Sequence, residues 1–154
     1  MIAAERCGGN AAGKGLFRQI MDRFTLSETE WRKRLSPDQY GVLREGANEA
    51  PFTGRYDNNR ADGLYRCAGC ATPLFDSADK FETECGYACF TQPIGPDQVG
   101  THGDTGGGAK RMEARCTRCD GHLGHVFDDG PPPTGLRYAI NSLSLDFRAR
   151  GTED

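Results

Sequence analysis

Leu64-Tyr65-Arg66-Cys67-Ala68-Gly69-Cys70 and Arg111-Met112-Glu113-Ala114-Arg115-Cys116-Thr117-Arg118-Cys119 follow one local plan, a short strand candidate running into a Cys-x-x-Cys turn. Each pair offers two thiolates to one ion from a tight turn, and two pairs complete a tetrahedral site. The intervening residues 71–115 make a spacer longer than the commonest zinc pattern, which suits an ion that staples a domain together. A single redox dithiol would leave the matching second pair unexplained. Four protein ligands leave no open position. The reading is therefore one structural Zn2+ on Cys67, Cys70, Cys116 and Cys119, stabilising the fold rather than catalysing.

Outward from these turns, the chain from Pro51 onward has apolar residues in short runs. The runs are broken by Gly54, Asp57-Asn58-Asn59, Asp62-Gly63 and Gly106-Gly107-Gly108, a punctuation that fits strands and turns better than helices. The strand candidates are Leu64–Cys67, Arg111–Cys116 and Leu136–Phe147. Upstream, Ser27 with Glu30 forms a capping box leading into Trp31 to Leu35. Ser36, Pro37 and Gln39 repeat the signal for a helix to about Arg44, stopped by Gly46. Trp31, Leu35, Tyr40 and Leu43 are expected to pack these helices on the body, Trp31 as a core anchor. Residues 1–24 are Gly/Ala-rich and weakly patterned, a terminal segment or a remnant basic presequence. The expected fold class is mainly β (α+β), with one domain over residues 25–150.

Composition narrows the function. The chain has 154 residues, 36% of them hydrophobic and 27% charged, enough for one domain with a buried core. A net charge of -3 argues against a nucleic-acid binder held by phosphate contacts, and no apolar run is long enough to span a membrane. Seven cysteines, an odd number mostly in pairs and without a secretory leader, point to metal or redox chemistry instead of a secreted disulfide scaffold. Short exposed strands and a modest core give the expectation of a monomer.

Three cysteines lie outside the two pairs. Cys85 and Cys89 fall in Glu84-Cys85-Gly86-Tyr87-Ala88-Cys89-Phe90, read as a loop beside a pocket, with Cys89 either a small buried hydrophobe or a functional thiol. Cys7 reads as an incidental free thiol. His122 and His125 stand three residues apart; with the ion already saturated, they are candidates for acid–base or hydrogen-bond duty, or two satisfied structural histidines. His102 reads as exposed in a Gly-rich loop. Asp128-Asp129-Gly130-Pro131-Pro132-Pro133-Thr134-Gly135 is a stiff connector whose carboxylates read as solvated or capping groups. In the strand that follows, alternation puts Arg137, Ala139 and Asn141 on one face and Tyr138 and Ile140 on the other. A cation and an amide thus flank a methyl group, aimed at something missing.

These residues resemble a known family. CAGC at 67–70, CTRCDGHLGHVFDDGPPPTGLRYAINSLSLDF at 116–147, PFTG at 51–54 and CGYACF at 85–90 are similar to the B-type methionine-R-sulfoxide reductases, over about Trp31 to Phe147 and most densely in the last third. The resemblance implies two antiparallel sheets, zinc on the four CxxC cysteines, and reduction of methionine-R-sulfoxide, free or in proteins, to methionine. It places the nucleophilic Cys at the position of Ala139. It gives Arg137 the task of lowering that thiol's pKa, and gives His122, His125 and Asn141 the binding of the sulfoxide oxygen and its protonation. It makes Cys85 the resolving thiol, with Cys89, where Ser is usual, able to compete. It assigns the pocket for the substrate methyl to Tyr87, where Trp is usual, together with Phe90; Ala88 stands where Pro is usual. The implied cycle runs through a sulfenic acid, a disulfide with Cys85, and reopening by thioredoxin.

Ala139 is the chief departure, since a methyl group cannot attack a sulfoxide. With its neighbours intact, the position reads as a Cys-to-Ala change that keeps substrate binding and stops turnover, rather than as a decayed site. The rival reading, favoured by Ala139 and Tyr87, is a zinc-stapled binding module presenting a groove to a protein partner; a third is a redox pair of Cys85 and Cys89 whose disulfide forms independently of residue 139. The expected location is cytoplasmic, or a mitochondrion or plastid if residues 1–24 are a presequence remnant.

Overall fold

In the computed structural model, which describes residues 23–104 and 111–151, both capping boxes are made. Helix α1 spans Glu28–Arg34: the Ser27 hydroxyl accepts from the Glu30 N–H at 3.1 Å, and the Glu30 carboxylate accepts from the Ser27 N–H at 2.9 Å. Helix α2 spans Pro37–Glu45, capped by Ser36 and Gln39 in the same way and ended by Gly46 at φ 77°. Trp31, Leu35, Tyr40 and Leu43 are buried, as expected. Phe24 packs against Trp31 with ring centroids 5.7 Å apart, and its N–H donates to the Arg118 carbonyl, tying the entry of the helical segment to the second CxxC turn.

Among the described residues nine strands follow: β1 (Gly63–Cys67), β2 (Pro73–Asp76), β3 (Lys80–Phe81), β4 (Ala88–Phe90), β5 (Val99–Asp104), β6 (Arg111–Cys116), β7 (His122–Phe127), β8 (Arg137–Ile140) and β9 (Leu145–Ala149). They form two antiparallel sheets, in the order β2-β1-β9 and β3-β4-β8-β7-β6-β5. The core between them is aromatic and aliphatic: Tyr65, Leu74, Phe75, Phe90, Leu123, Ile140 and Leu145 are fully buried, and Phe75 stacks on Phe90 at 4.4 Å. In β4 and β8 the core takes alternate residues, Ala88 and Phe90, Tyr138 and Ile140, which leaves the face of Cys89 and Ala139 for other use.

The structure corrects three readings. Leu136–Phe147 is not one strand: β8 and β9 belong to different sheets, joined by a 3-10 turn at Ser142–Ser144. The turn is held from far along the chain, because the Glu49 carboxylate accepts from the Ser142 and Leu143 N–H groups at 3.0 and 3.1 Å. The segment around Cys89 is the short strand β4 rather than all loop, and His102 lies exposed on β5. Cys7, the 106–108 glycines and the presequence reading fall outside the described residues, apart from Arg23 and Phe24 at the segment's end. Among the described residues, no helix is long and apolar enough to cross a membrane.

Candidate active site

The four cysteines of the two CxxC turns converge. Their sulfurs all lie within 4.8 Å of one another and all four residues are buried. Cys67 Sγ is 3.6 Å from Cys119 Sγ and Cys70 Sγ is 3.5 Å from Cys116 Sγ. A Zn–S distance of about 2.3 Å in a tetrahedron sets sulfur–sulfur edges near 3.8 Å, so the donor set fits one tetrahedral ion. The Gly69 N–H donates to Cys67 Sγ at 3.3 Å, and Thr72 Oγ1 lies 3.1 Å from Cys70 Sγ. The helices close the site from outside: Arg34 donates to the Gly69 carbonyl and Arg44 to the Cys119 carbonyl. Cys67 ends β1 of one sheet and Cys116 ends β6 of the other, so an ion here joins the two sheets.

The second constellation lies on the face of the large sheet away from the core. Cys89 pairs with Ala139 across β4 and β8, and Ala139 pairs with His125 across β8 and β7, so the three stand in one row. Gly124 permits the close β7–β8 approach; an added Cβ there would lie 2.1 Å from the Ala139 carbonyl oxygen. Above the row is a cavity of about 240 Å³ lined by Asn48, Cys85, Tyr87, His125, Phe127, Arg137, Ala139 and Asn141. The alternation read from the sequence holds: Arg137, Ala139 and Asn141 face this cavity, and Tyr138 and Ile140 face the core. A larger cavity of about 540 Å³, lined by Ser36, Glu49, Arg55 and Ser142 among others, gathers no thiol or imidazole.

Arg137 is fixed as a cation. Asp129 takes both arms of its guanidinium, at 2.8 and 3.1 Å, and Arg137 Cζ stacks 4.4 Å from the Phe127 ring centroid. The bond to Asp129 outweighs burial and raises the guanidinium pKa further. Asp129, read from the sequence as a solvated or capping group, is thus the anchor of the site's positive charge.

Cys85 sits at the cavity wall, held by a turn through Gly86. That residue has φ 89°, and a Cβ on it would lie 2.8 Å from the Phe52 nitrogen. The Thr83 hydroxyl donates to Cys85 Sγ at 3.0 Å, and Cys89 Sγ is also 3.0 Å away. Burial pushes the Cys85 thiol up, but the hydrogen bonds from Cys89 and Thr83 and the charge of Arg137 bring it below the ordinary value. Tyr87 lines the same cavity and donates its hydroxyl to the Glu49 carbonyl at 2.9 Å.

Two expected residues take other places. Phe90 is fully buried and stacks on Phe75 in the core rather than lining the cavity. His122 lies one layer behind, its ring 5.5 Å from that of His125. Its tautomer follows from fixed neighbours. Asn141 is oriented by backbone groups, Oδ1 accepting from the Glu49 N–H and Nδ2 donating to the Leu123 carbonyl, both at 3.0 Å. The same Nδ2 donates to Asn48 Oδ1 at 3.1 Å, so Asn48 presents its oxygen, and His122 Nε2, 2.9 Å from that oxygen, carries a proton. Nδ1 lies 2.6 Å from Glu113 Oε2, and burial lowers the imidazole's pKa against the raising effect of that carboxylate.

Burial raises the Glu113 carboxyl, but its hydrogen bonds with Arg115 and His122 prevail and hold it below the ordinary carboxylate range. Such a group stabilises the fold fully above its unfolded pKa, and the contribution disappears as pH falls through the folded value. Glu113→Ala is therefore expected to cost about 1–3 kcal/mol at neutral pH. The difference from the parent should shrink between about pH 5 and pH 3. Urea unfolding of both proteins across that range checks this; a constant difference would contradict it.

The sequence reading missed Asn48, Glu113, Asp129 and Phe127. Of these, the Asp128-Asp129 pair eight and nine residues before Arg137 was a signal in hand, whereas Asn48 gave none.

Comparison with known proteins agrees with this architecture. The SelR domain family matches residues 35–149. The "Peptide methionine sulfoxide reductase MsrB" of Agrobacterium fabrum is 53% identical over 121 residues, covering 79% of this chain and 90% of that protein. Proteins of the same name from Pseudomonas fluorescens (48% identity, 84% of this chain, 99% of that protein) and Synechococcus (47%, 85% and 96%) match as extensively. With the family matching most of its length, the chain belongs to the SelR-domain, MsrB-type methionine sulfoxide reductases.

Proposed function

We propose that the cavity over Ala139 binds methionine-R-sulfoxide, free or as a protein side chain, and that residue 139 is where the attacking thiol of the family's cycle belongs. The supporting observation is convergence on one methyl group: the Arg137 cation, the His125 imidazole, the Asn141 amide and the Cys85 sulfur line a single cavity around Ala139. In this reading Tyr87 and Phe127 wall the substrate methyl, and Arg137 and His125 face the sulfoxide oxygen, where negative charge grows as the S–O bond weakens, while Asn141, its two amide hydrogens spent on Leu123 and Asn48, fixes the shape of the pocket wall. His122 acts through Asn48 and Asn141, holding the amide in place. With Cys at 139, the thiolate attacks the sulfoxide sulfur, a sulfenic acid forms, and Cys85 displaces it to a disulfide that thioredoxin reopens. Thioredoxin suits this role because a dithiol both attacks the disulfide and resolves the resulting mixed disulfide within one molecule. Ala139 stops that route at its first step, while the groups that recognise the sulfoxide stay in place.

Zinc is the ion assigned to Cys67, Cys70, Cys116 and Cys119, where it supplies folding energy rather than catalysis. The protein acts as a monomer in a reducing compartment, the cytoplasm or an organelle, where its thiols stay reduced. The test is epimer-resolved turnover by the Ala139→Cys variant with thioredoxin and its reductase: the R epimer is consumed and the S epimer is not. Equal consumption of both, or of neither with the fold intact, would overturn the reading.

A further inference from the structure

We propose that in this chain the two electrons for sulfoxide reduction come from the Cys85–Cys89 dithiol, with Cys85 attacking and Cys89 resolving. The proposal rests on the substrate reading above but assigns the chemistry to different residues. Cys89 is the cross-strand neighbour of Ala139, on the same row as His125, so its thiol occupies the strand next to the position that lacks one. Cys85 and Cys89 have their sulfurs 3.0 Å apart with both thiols free. A disulfide bond of about 2.05 Å is a small rotation away.

The division of labour follows from access. Cys85 lines the cavity and is half-buried, so it can reach a substrate sulfur; Cys89 is fully buried, with the Cys85 sulfur 3.0 Å away. The protonation bias agrees. Burial pushes the Cys89 thiol up to about 12, which keeps it a proton donor to its neighbour, while Cys85 is held below the ordinary thiol value. An accessible thiolate with a buried, protonated partner is the arrangement that dithiol exchange uses.

The chemistry balances. The Cys85 thiolate attacks the sulfoxide sulfur, and with one proton the oxygen passes to Cys85, giving a sulfenic acid and methionine; the sulfoxide sulfur gains the two electrons that Cys85 loses. The Cys89 thiol then attacks the Cys85 sulfur. The S–S bond forms, the S–OH bond breaks, and the hydroxyl leaves with the Cys89 proton as water. In sum, one sulfoxide and two thiols give one thioether, one disulfide and water. A dithiol reductant reopens the disulfide.

The experiment is a single turnover of the reduced full-length chain with R- or S-methionine sulfoxide and no added reductant. Methionine is counted by chromatography, lost thiols by titration, and the disulfide mapped by mass spectrometry. The expected result is one methionine and two thiols per chain with the R epimer, a Cys85–Cys89 disulfide, and a rate at least tenfold slower with the S epimer. Cys89→Ser should still release methionine and leave a Cys85 sulfenic acid that dimedone traps; Cys85→Ser should release none. Unchanged thiols in the parent, or methionine formed by Cys85→Ser at the parent's rate, would overturn the proposal. Ala139→Cys combined with Cys89→Ser separates the two claims. If it reduces the R epimer while the parent's thiols remain intact, only the dithiol assignment falls; if neither reacts, the substrate reading falls with it.

Discussion

Ala139→Cys is expected to raise the rate of methionine-R-sulfoxide reduction on the order of 10³-fold over the chain as it stands, with no gain for the S epimer. Removing a covalent nucleophile from an otherwise intact site costs about that much or more in other enzymes, and restoring it should return a similar factor. The substitution places one sulfur where the Ala139 methyl meets the cavity, and β8 accepts it without altering its ladder to β4 or β7. Arg137, two residues earlier on the same face, is pinned by Asp129 and Phe127, so its charge is ready to favour the new thiolate. A folded Ala139→Cys protein with no gain in rate would show that these neighbours are not arranged around a sulfoxide.

Loss of the metal is the second large effect. The purified protein should carry one zinc per chain by elemental analysis, and Cys67→Ser should release it and lower the unfolding free energy by about 5 kcal/mol or more. Binding energy at a structural zinc is folding energy, on the order of 10 kcal/mol for small metal domains. A whole domain of this size is stable by only about 5–15 kcal/mol, so the loss approaches the total. The geometry makes the effect global, because Cys67 and Cys70 flank the turn after β1, Cys116 and Cys119 the turn after β6, and these strands belong to separate sheets. Chelator unfolding followed by circular dichroism checks the same claim. A Cys67→Ser protein as stable as the parent would contradict it.

What was legible in the sequence was local or paired. Ser27-Glu30 and Ser36-Gln39 state their capping boxes within four residues, the CxxC turns state their ligands by spacing, and period two in residues 137–141 states which side chains share a face. What was not legible depends on distant parts of the chain. The break between β8 and β9 comes from Glu49, more than ninety positions away in sequence, whose carboxylate takes the turn's N–H groups. Asn48 enters the site only because Asn141 and His122 reach it across 93 and 74 positions. The resemblance puts Phe90 in the pocket, but a strand puts adjacent residues on opposite faces: Cys89 took the site face and Phe90 the core. The row Cys89–Ala139–His125 is a product of strand order, which no single segment encodes.

The most direct test of the central claim uses the Cys85→Ser variant, which keeps Ala139 and, lacking the attacking thiol, does not consume the ligand. Its amide and imidazole signals would be followed by NMR as methionine-R-sulfoxide and, separately, the S epimer are added. Saturable shifts are expected for the R epimer at His125, Asn141, Arg137 and Phe127, with the S epimer binding at least tenfold more weakly. Shifts of equal size for both epimers, or shifts confined to the larger cavity beside Arg55, would contradict it.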